Sequence, residues 1–345
     1  MFKQLVLSAL FLTLPWSLTV KNAQAGLQTE SERIISLQLD SGAIPMTPGD
    51  GLRRIEPYFA NLAVIGLLES PEPSAKAAAE KWMSWYVSHL NKPDKFGLPG
   101  TVYVHEVDAS GLEKSLDDYD SSDSYGATFL SVAAKYYKAG GSEAFLRSIR
   151  ADLEIVAASV VATQGKDGLT RAKPNYPIAY LMDNCEVYEG LKDMAELEQT
   201  VFGDDLKSRS FKEKAARVRD GIESLWDEAA GAYQPHKGHP PQWDVFYPDA
   251  TAQLFPIANG VIAPDSVRAK RLWSGFNKHH SGWTRLDTSD SFPWAAAGYV
   301  SILMGDKAAT SSYYQNVYAA YMPAGLWPWH AGESGFWMRM LKMMK

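Results

Sequence analysis

The chain has 345 residues, 46% of them hydrophobic and 21% charged, with a formal net charge of −6 and an isoelectric point near 5.7. That much apolar material excludes a disordered chain and suits one large core, and the lack of a basic excess or a Lys/Arg-rich run excludes nucleic acid as a partner. The single cysteine, Cys185, has no partner for an internal disulfide and reads as a small core residue.

The N-terminus, MFKQLVLSALFLTLPWSLTVKNAQAG, sets Lys3 before an apolar stretch from Leu5 to about Val20, then Ala23-Gln24-Ala25 before Gly26. This is the order of a secretory signal, interrupted by Pro15 and too short for a membrane anchor. The expectation is a signal peptide over 1–25, one catalytic domain over 26–345, and a periplasmic or secreted, monomeric product. No later apolar run approaches the roughly 20 residues that a spanning helix needs, so the mature chain should carry no membrane span.

Apolar residues then recur at helical spacing and predict twelve helices, over 28–40, 51–68, 72–90, 123–139, 142–163, 183–202, 208–228, 249–261, 264–280, 291–304, 307–321 and 333–344. They come in pairs. Links within a pair are short and carry Gly, Pro or Ser (ESPEPS, KAGGS, VIAPDS, MGDKA), whereas links between pairs are longer and rich in Trp, Tyr, Pro and His. Short links on one side and long ones on the other predict an all-α ring of six helical hairpins, closed when the first and last helices pair. No alternating run supports an extended sheet, although TVYVHEV, 101–107, suggests a short strand within a loop.

An acid precedes or opens the first helix of each hairpin: Asp50, Asp123, Asp183, Asp249, Asp290 and Glu333. Each could be no more than a helix cap, which suits the dipole. If these six helices form an inner ring with parallel axes, however, their N-termini meet and the acids share one mouth. The long loops add Tyr176, Tyr180, Trp243, Phe246, Tyr247, Trp283, Trp327, Trp329 and His330. Flat rings suit the C–H faces of sugars and carboxylates suit their hydroxyls, so a carbohydrate is the expected substrate.

The helix starts D-S-Y-G-A-T-F-L and L-M-D-N-C-E-V-Y-E-G-L resemble those of the six-hairpin, (α/α)6-barrel glycosidases, with a distant likeness to the unsaturated glucuronyl hydrolases. That family places one Asp at the start of the second hairpin and another at the start of the third. The matching positions are Asp123 and Asp183, 183 − 123 = 60 residues apart. Cys185-Glu186-Val187-Tyr188 departs from the family's usual residues after the second Asp, and Gly126 follows Asp123 by three positions rather than two. Candidates for gripping a uronate carboxylate are Arg171, Lys173, His236, Lys237 and Arg285.

Glycoside hydrolysis calls for one protonated and one ionised carboxyl group. Asp183, beside Leu181, Met182 and Cys185, is the candidate general acid/base because burial disfavours its charge, and Asp123 is its candidate partner. Asp249 and Glu333 are reserves, and Glu186, one turn after Asp183, can tune it. Candidate substrate-binding residues are Asp120, Glu186, Trp243, Asp244, Tyr247, Asp249, Trp283, Arg285, Trp327, Trp329, His330 and Glu333.

Within DDYDSSDSYG, 117–126, Asp117 and Asp118 are expected to be solvated, Asp120 to hold substrate and Asp123 to serve chemistry. Asp123→Asn should then lower kcat, and Asp120→Asn raise KM. No metal or cofactor is expected. A calcium loop starting at Asp118 would need Gly at 123 and Glu at 129, where Asp123 and Phe129 stand. A D-D-x-x-D site fails at Ser121, and neither His236/His239 nor His279/His280 has a zinc-like setting. The function classes left open are a glycoside hydrolase, a non-catalytic sugar-binding protein on the same ring, and a lyase or epimerase using His105, His236 or His330.

Overall fold

The computed structural model describes residues 16–49, 51–322 and 324–344, so most of the expected signal segment and the Asp50 cap lie outside the described residues. Six helices form an inner ring: α2 (Pro57–Leu67), α4 (Ser122–Lys138), α7 (Leu181–Thr200), α9 (Phe255–Ala258), α11 (Ala295–Leu303) and α13 (Ala331–Met343). Each touches the next in that order, and α13 touches α2 to close the circle. Outside them lie α1 (Trp16–Leu37), α3 (Pro73–Ser88), α5 (Glu143–Ser148) with α6 (Arg150–Ala162), α8 (Asp205–Glu223), α10 (Val267–His279) and α12 (Lys307–Tyr321). The protein is an all-α (α/α)6 toroid.

Sequence decides which helices go inside. PYFANLAVIGL (α2) and AAAGYVSIL (α11) are apolar on every face and buried on nearly every face, as an inner position demands. By contrast, α10 buries only Ala269, Leu272, Trp273 and Phe276, the single stripe of an outer helix.

Several predicted boundaries move, each for a local reason. Helix 51–68 begins only at Pro57, which occupies the first turn where its missing N–H costs nothing. Helix 142–163 breaks at Ile149 into α5 and α6. Helix 249–261 is reduced to an irregular turn over Phe246–Ala250 followed by α9, with Pro248 and Pro256 each removing a backbone donor. Helix 291–304 starts at Ala295, because Pro293 precedes it and Trp294 sits at φ 55°. The expected strand over 101–107 narrows to β2 (His105–Val107), flanked antiparallel by β1 (Arg53–Ile55) and β3 (Glu113–Ser115). Three residues per strand are too few for alternation to show in sequence.

Ring closure joins residues some 300 positions apart. The Trp329 Nε1–H donates to Glu30 Oε1 at 3.0 Å, 299 residues away, and Arg33 bridges Glu30 (2.6 Å) and Ser334. The first helix, α1, runs unbroken through the Ala25–Gly26 junction, with Ala23 buried.

Inner helices approach closely where they carry glycine. A Cβ on Gly335 of α13 would stand 2.1 Å from the Leu62 carbonyl oxygen of α2, and one on Gly190 of α7 would stand 2.4 Å from that of Ala127 in α4. Backbone cannot yield as a side chain can. Gly335→Ala is therefore expected to destabilise the fold by on the order of 3 kcal/mol, read as a lower midpoint in chemical denaturation.

Candidate active site

A cavity of about 650 Å³ opens where the inner helices begin. Its carboxylates stand at or before the starts of five of the six inner helices: Glu56 before α2, Asp118 and Asp120 before α4, Asp183 in α7, Asp290 before α11 and Glu333 in α13, while Asp249, before α9, does not line it. Rings of Tyr58, Tyr119, Tyr125, Tyr247, Phe292 and Trp294 complete the wall. Asp183 and Glu333 each occupy the third position of their helix. In the order α2, α4, α7, α9, α11, α13, the helices α7 and α13 face each other across the ring.

Asp183 is not the cap of its own helix, which begins after Tyr180. Burial pushes its carboxyl well above the usual carboxylate range, and the neighbouring Asp123 and Asp120 push it further. Asp123 itself is fully buried behind Ser121 and does not line the cavity. Ser121 Oγ donates to Asp123 Oδ1 at 2.5 Å and reaches Asp183 Oδ2 at 3.4 Å, so this serine ties the two acids together. The expectation that Asp123 is the catalytic partner of Asp183 meets a residue one layer back from the cavity, where it accepts from the Ser124 N–H at 2.9 Å.

Glu333 is held by a different helix. Its Oε1 accepts from the Trp294 N–H at 3.2 Å and its Oε2 from the Ala295 N–H at 2.5 Å, so it satisfies the free amides at the start of α11. Burial raises its carboxyl to about 7, with Asp290 adding to the rise against those two backbone bonds. Next to it His330 caps α13 by accepting from the Gly332 N–H at 3.1 Å, and burial lowers the imidazole to about 4. A neutral His330 thus presents Nε2 to Glu333 Oε1 at 4.0 Å.

The raised Glu333 makes stability depend on pH. A carboxyl with a folded-state pKa above its unfolded value of 4.5 favours folding fully below that value, and this contribution disappears as pH rises through about 7. Between pH 4 and 8 the wild type is expected to lose a contribution on the order of 3 kcal/mol that Glu333→Gln does not lose, measurable as diverging melting temperatures.

Other predicted residues are distributed unevenly. Asp120, Tyr247 and His330 line the cavity. Glu186 lies behind it, accepting from the Tyr58 hydroxyl at 2.6 Å, and burial pushes its carboxyl well up. Asp249 is buried and accepts from the Gln242 N–H at 2.8 Å. Trp283 and Trp329 are core residues, with Nε1–H groups satisfied by Asn277 and Glu30. Trp243 packs on α10 and stacks with His279 at 5.8 Å, while Asp244 pairs outward with the same His279. Exposed Arg285 does not line the cavity, and Trp327 stands at its rim, edge-on to Phe292 at 5.4 Å. Within 117–126, Asp118 is not merely solvated: it meets Lys95 and Lys173, both at 3.3 Å, on the cavity wall.

Sequence reasoning missed Glu56, Tyr58 and Tyr125. Tyr125 donates to Glu56, its ring stacks on that of Tyr58 at 6.0 Å, and Tyr58 in turn donates to Glu186. Pro57 was the available signal, since a proline in the first turn marks Glu56 rather than Asp50 as the acid just before the second helix.

Three of the five uronate-gripping candidates are paired with acids, and of these Lys173 stands on the cavity wall. Arg171 and Lys237 both pair with Asp167, at 2.8 and 2.5 Å, and Lys173 pairs with Asp118. Arg54, the other cation on the cavity wall, lies 3.6 Å from Glu56. His105 stacks edge-on to Trp85, outside the cavity.

No protein-family model matches the sequence, and no curated protein matches it. Solved structures do resemble the fold. A wild-type glycosidase matches with a TM-score of 0.69 at 14% identity, over 95% of this chain and 97% of that one, and a variant of a glycosidase in complex with glucose matches at 0.68 with the same identity and coverage. The GH63 mannosylglycerate hydrolase from Thermus thermophilus, solved with glucose, matches at 0.62 with 12% identity, over 92% of this chain and 99% of that one. At these identities the likenesses show the fold, an all-α toroid that the solved glycosidases share.

Proposed function

We propose that the protein is an exported glycoside hydrolase in which Asp183 is the general acid and Glu333 the general base. The observation that carries this reading is the placement of these two carboxyl groups on facing helices of the inner ring, with one aromatic-walled cavity between them. Both groups line this one cavity, and the inverting mechanism assigned to them requires a gap of roughly 6.5–9.5 Å between the carboxyls. Such a gap holds a sugar carbon and a water together, the arrangement of an inverting enzyme.

The step then balances simply. Protonated Asp183 gives its proton to the glycosidic oxygen as the bond from the anomeric carbon breaks. Ionised Glu333 takes a proton from water, whose oxygen bonds to that carbon from the opposite face. Asp123, through Ser121, keeps Asp183 oriented, and the negative field of Asp123 and Asp120 keeps its proton in place. Amides of Trp294 and Ala295 fix Glu333 without giving it a proton to share.

Export rests on the charge, apolar core and small-x-small order of the first 26 residues. N-terminal sequencing of protein recovered from the periplasm or medium checks it, with Gly26 as the expected first residue. Activity is checked by incubating the protein with neutral oligosaccharides and following the products by mass spectrometry and NMR. The expected products carry one added water and an inverted anomeric centre. Products bearing a double bond would make the protein a lyase, and binding without release would make it a sugar-binding protein.

A further inference from the structure

The hydrolase reading fixes a direction: the departing oxygen must come within hydrogen-bond reach of Asp183, so the departing group leaves over the start of α7. Four rings stand in a row beside the start of α7, next to the cavity rather than on its wall. The ring of Tyr180, the residue just before α7, lies 6.4 Å from that of Tyr176, with their hydroxyls 3.0 Å apart. On its other side His236 meets it edge-on at 5.8 Å and stacks on His239 at 4.8 Å. Tyr176 is 48% exposed.

The row is built on firm backbone. The Leu181 N–H donates to the Pro235 carbonyl at 2.9 Å and the Lys237 N–H to the Ala179 carbonyl at 3.0 Å, so the two loop segments pair as short strands. A tight turn at Lys173–Tyr176, bonded in both directions, presents Tyr176. A flexible loop would have to be ordered by its ligand, whereas this one is ordered already.

Charge says what fits. Arg171 and Lys237 are held by Asp167, and Lys173 by Asp118 and the Tyr119 carbonyl, so a carboxylate or phosphate passing over the row finds no free cation among them. Tyrosine faces with hydroxyls at their edges suit an uncharged ring bearing hydroxyls.

We infer that Tyr176 and Tyr180 form the leaving-group subsite, and that the departing part of the substrate is itself a neutral sugar. The inference uses the hydrolase reading only for its direction, and binding can test the two apart. In the Asp183→Asn protein, affinities for glucose and mannose are compared with those for their disaccharides of each linkage, by calorimetry. At least one disaccharide is expected to bind 10-fold or more tighter than its monosaccharide. Tyr176→Ala should bring that ratio close to one, and Tyr176→Phe, which keeps the ring but loses the bond to Tyr180, should retain most of it. No gain from mono- to disaccharide, or a gain that survives Tyr176→Ala in a folded protein, overturns the inference. A Tyr176-dependent gain with no turnover by the wild type would sink the hydrolase reading and leave the subsite standing.

Discussion

Asp183→Asn is expected to lower kcat by roughly 10²- to 10⁴-fold, the usual contribution of a positioned acid, while the folded protein survives. The amide has nearly the volume of the acid, and the carboxylate it replaces is not the cap of α7, so no helix end is left open. Removing a buried carboxyl whose charge is disfavoured by its neighbours Asp123 and Asp120 should raise the melting temperature slightly at alkaline pH. Substrates with an activated leaving group, such as nitrophenyl glycosides, need little protonic assistance and should lose much less. A loss equal for activated and ordinary leaving groups would show that Asp183 only shapes the cavity.

Glu333→Gln is expected to cost as much activity and to weaken the fold as well. Both oxygens of Glu333 accept backbone N–H bonds from the start of α11, and a glutamine can offer only one oxygen to them. Its NH2 group then faces an N–H, leaving a buried donor unsatisfied at a cost of about 1–3 kcal/mol. Catalysis and capping are separable by pH: if Glu333 is the base, kcat/KM in the wild type falls as pH drops below about 7, the value to which burial raises this carboxyl. Residual activity in Glu333→Gln should lack that limb. A variant that melts earlier yet keeps the wild-type pH profile per folded molecule would reduce Glu333 to a cap.

Much of the ring was legible in the sequence because helical period and loop length are local properties. Twelve apolar stripes and alternating short and long links suffice to imply hairpins. What could not be read is where each side chain ends up in depth. Asp123 and Asp183 look alike along the chain, each near a helix start, yet one extra residue of helix before Asp183 turns it toward the cavity while Asp123 turns behind Ser121. Trp327 and Trp329 lie two positions apart, and one stands at the rim while the other is sealed against Glu30. Glu333 was legible as an acid at a helix start, but its role on α11 depends on the ring being closed, which no local pattern expresses.

That closure also sets a timetable. Because α13 is seated by α1 through contacts spanning about 300 residues, and Glu333 belongs to α13, its placement depends on contacts with very large sequence separation. Native contacts of such separation form late and slowly, since the whole intervening loop must first be closed. Five hairpins can be assembled before α13 is seated, and through that interval the open ring offers apolar flanks of α2 and α11 to other chains. If Glu333 is the base, competence arrives only once α13 is seated, so that a copy lacking α13 is expected to be inert and sticky, never partly active.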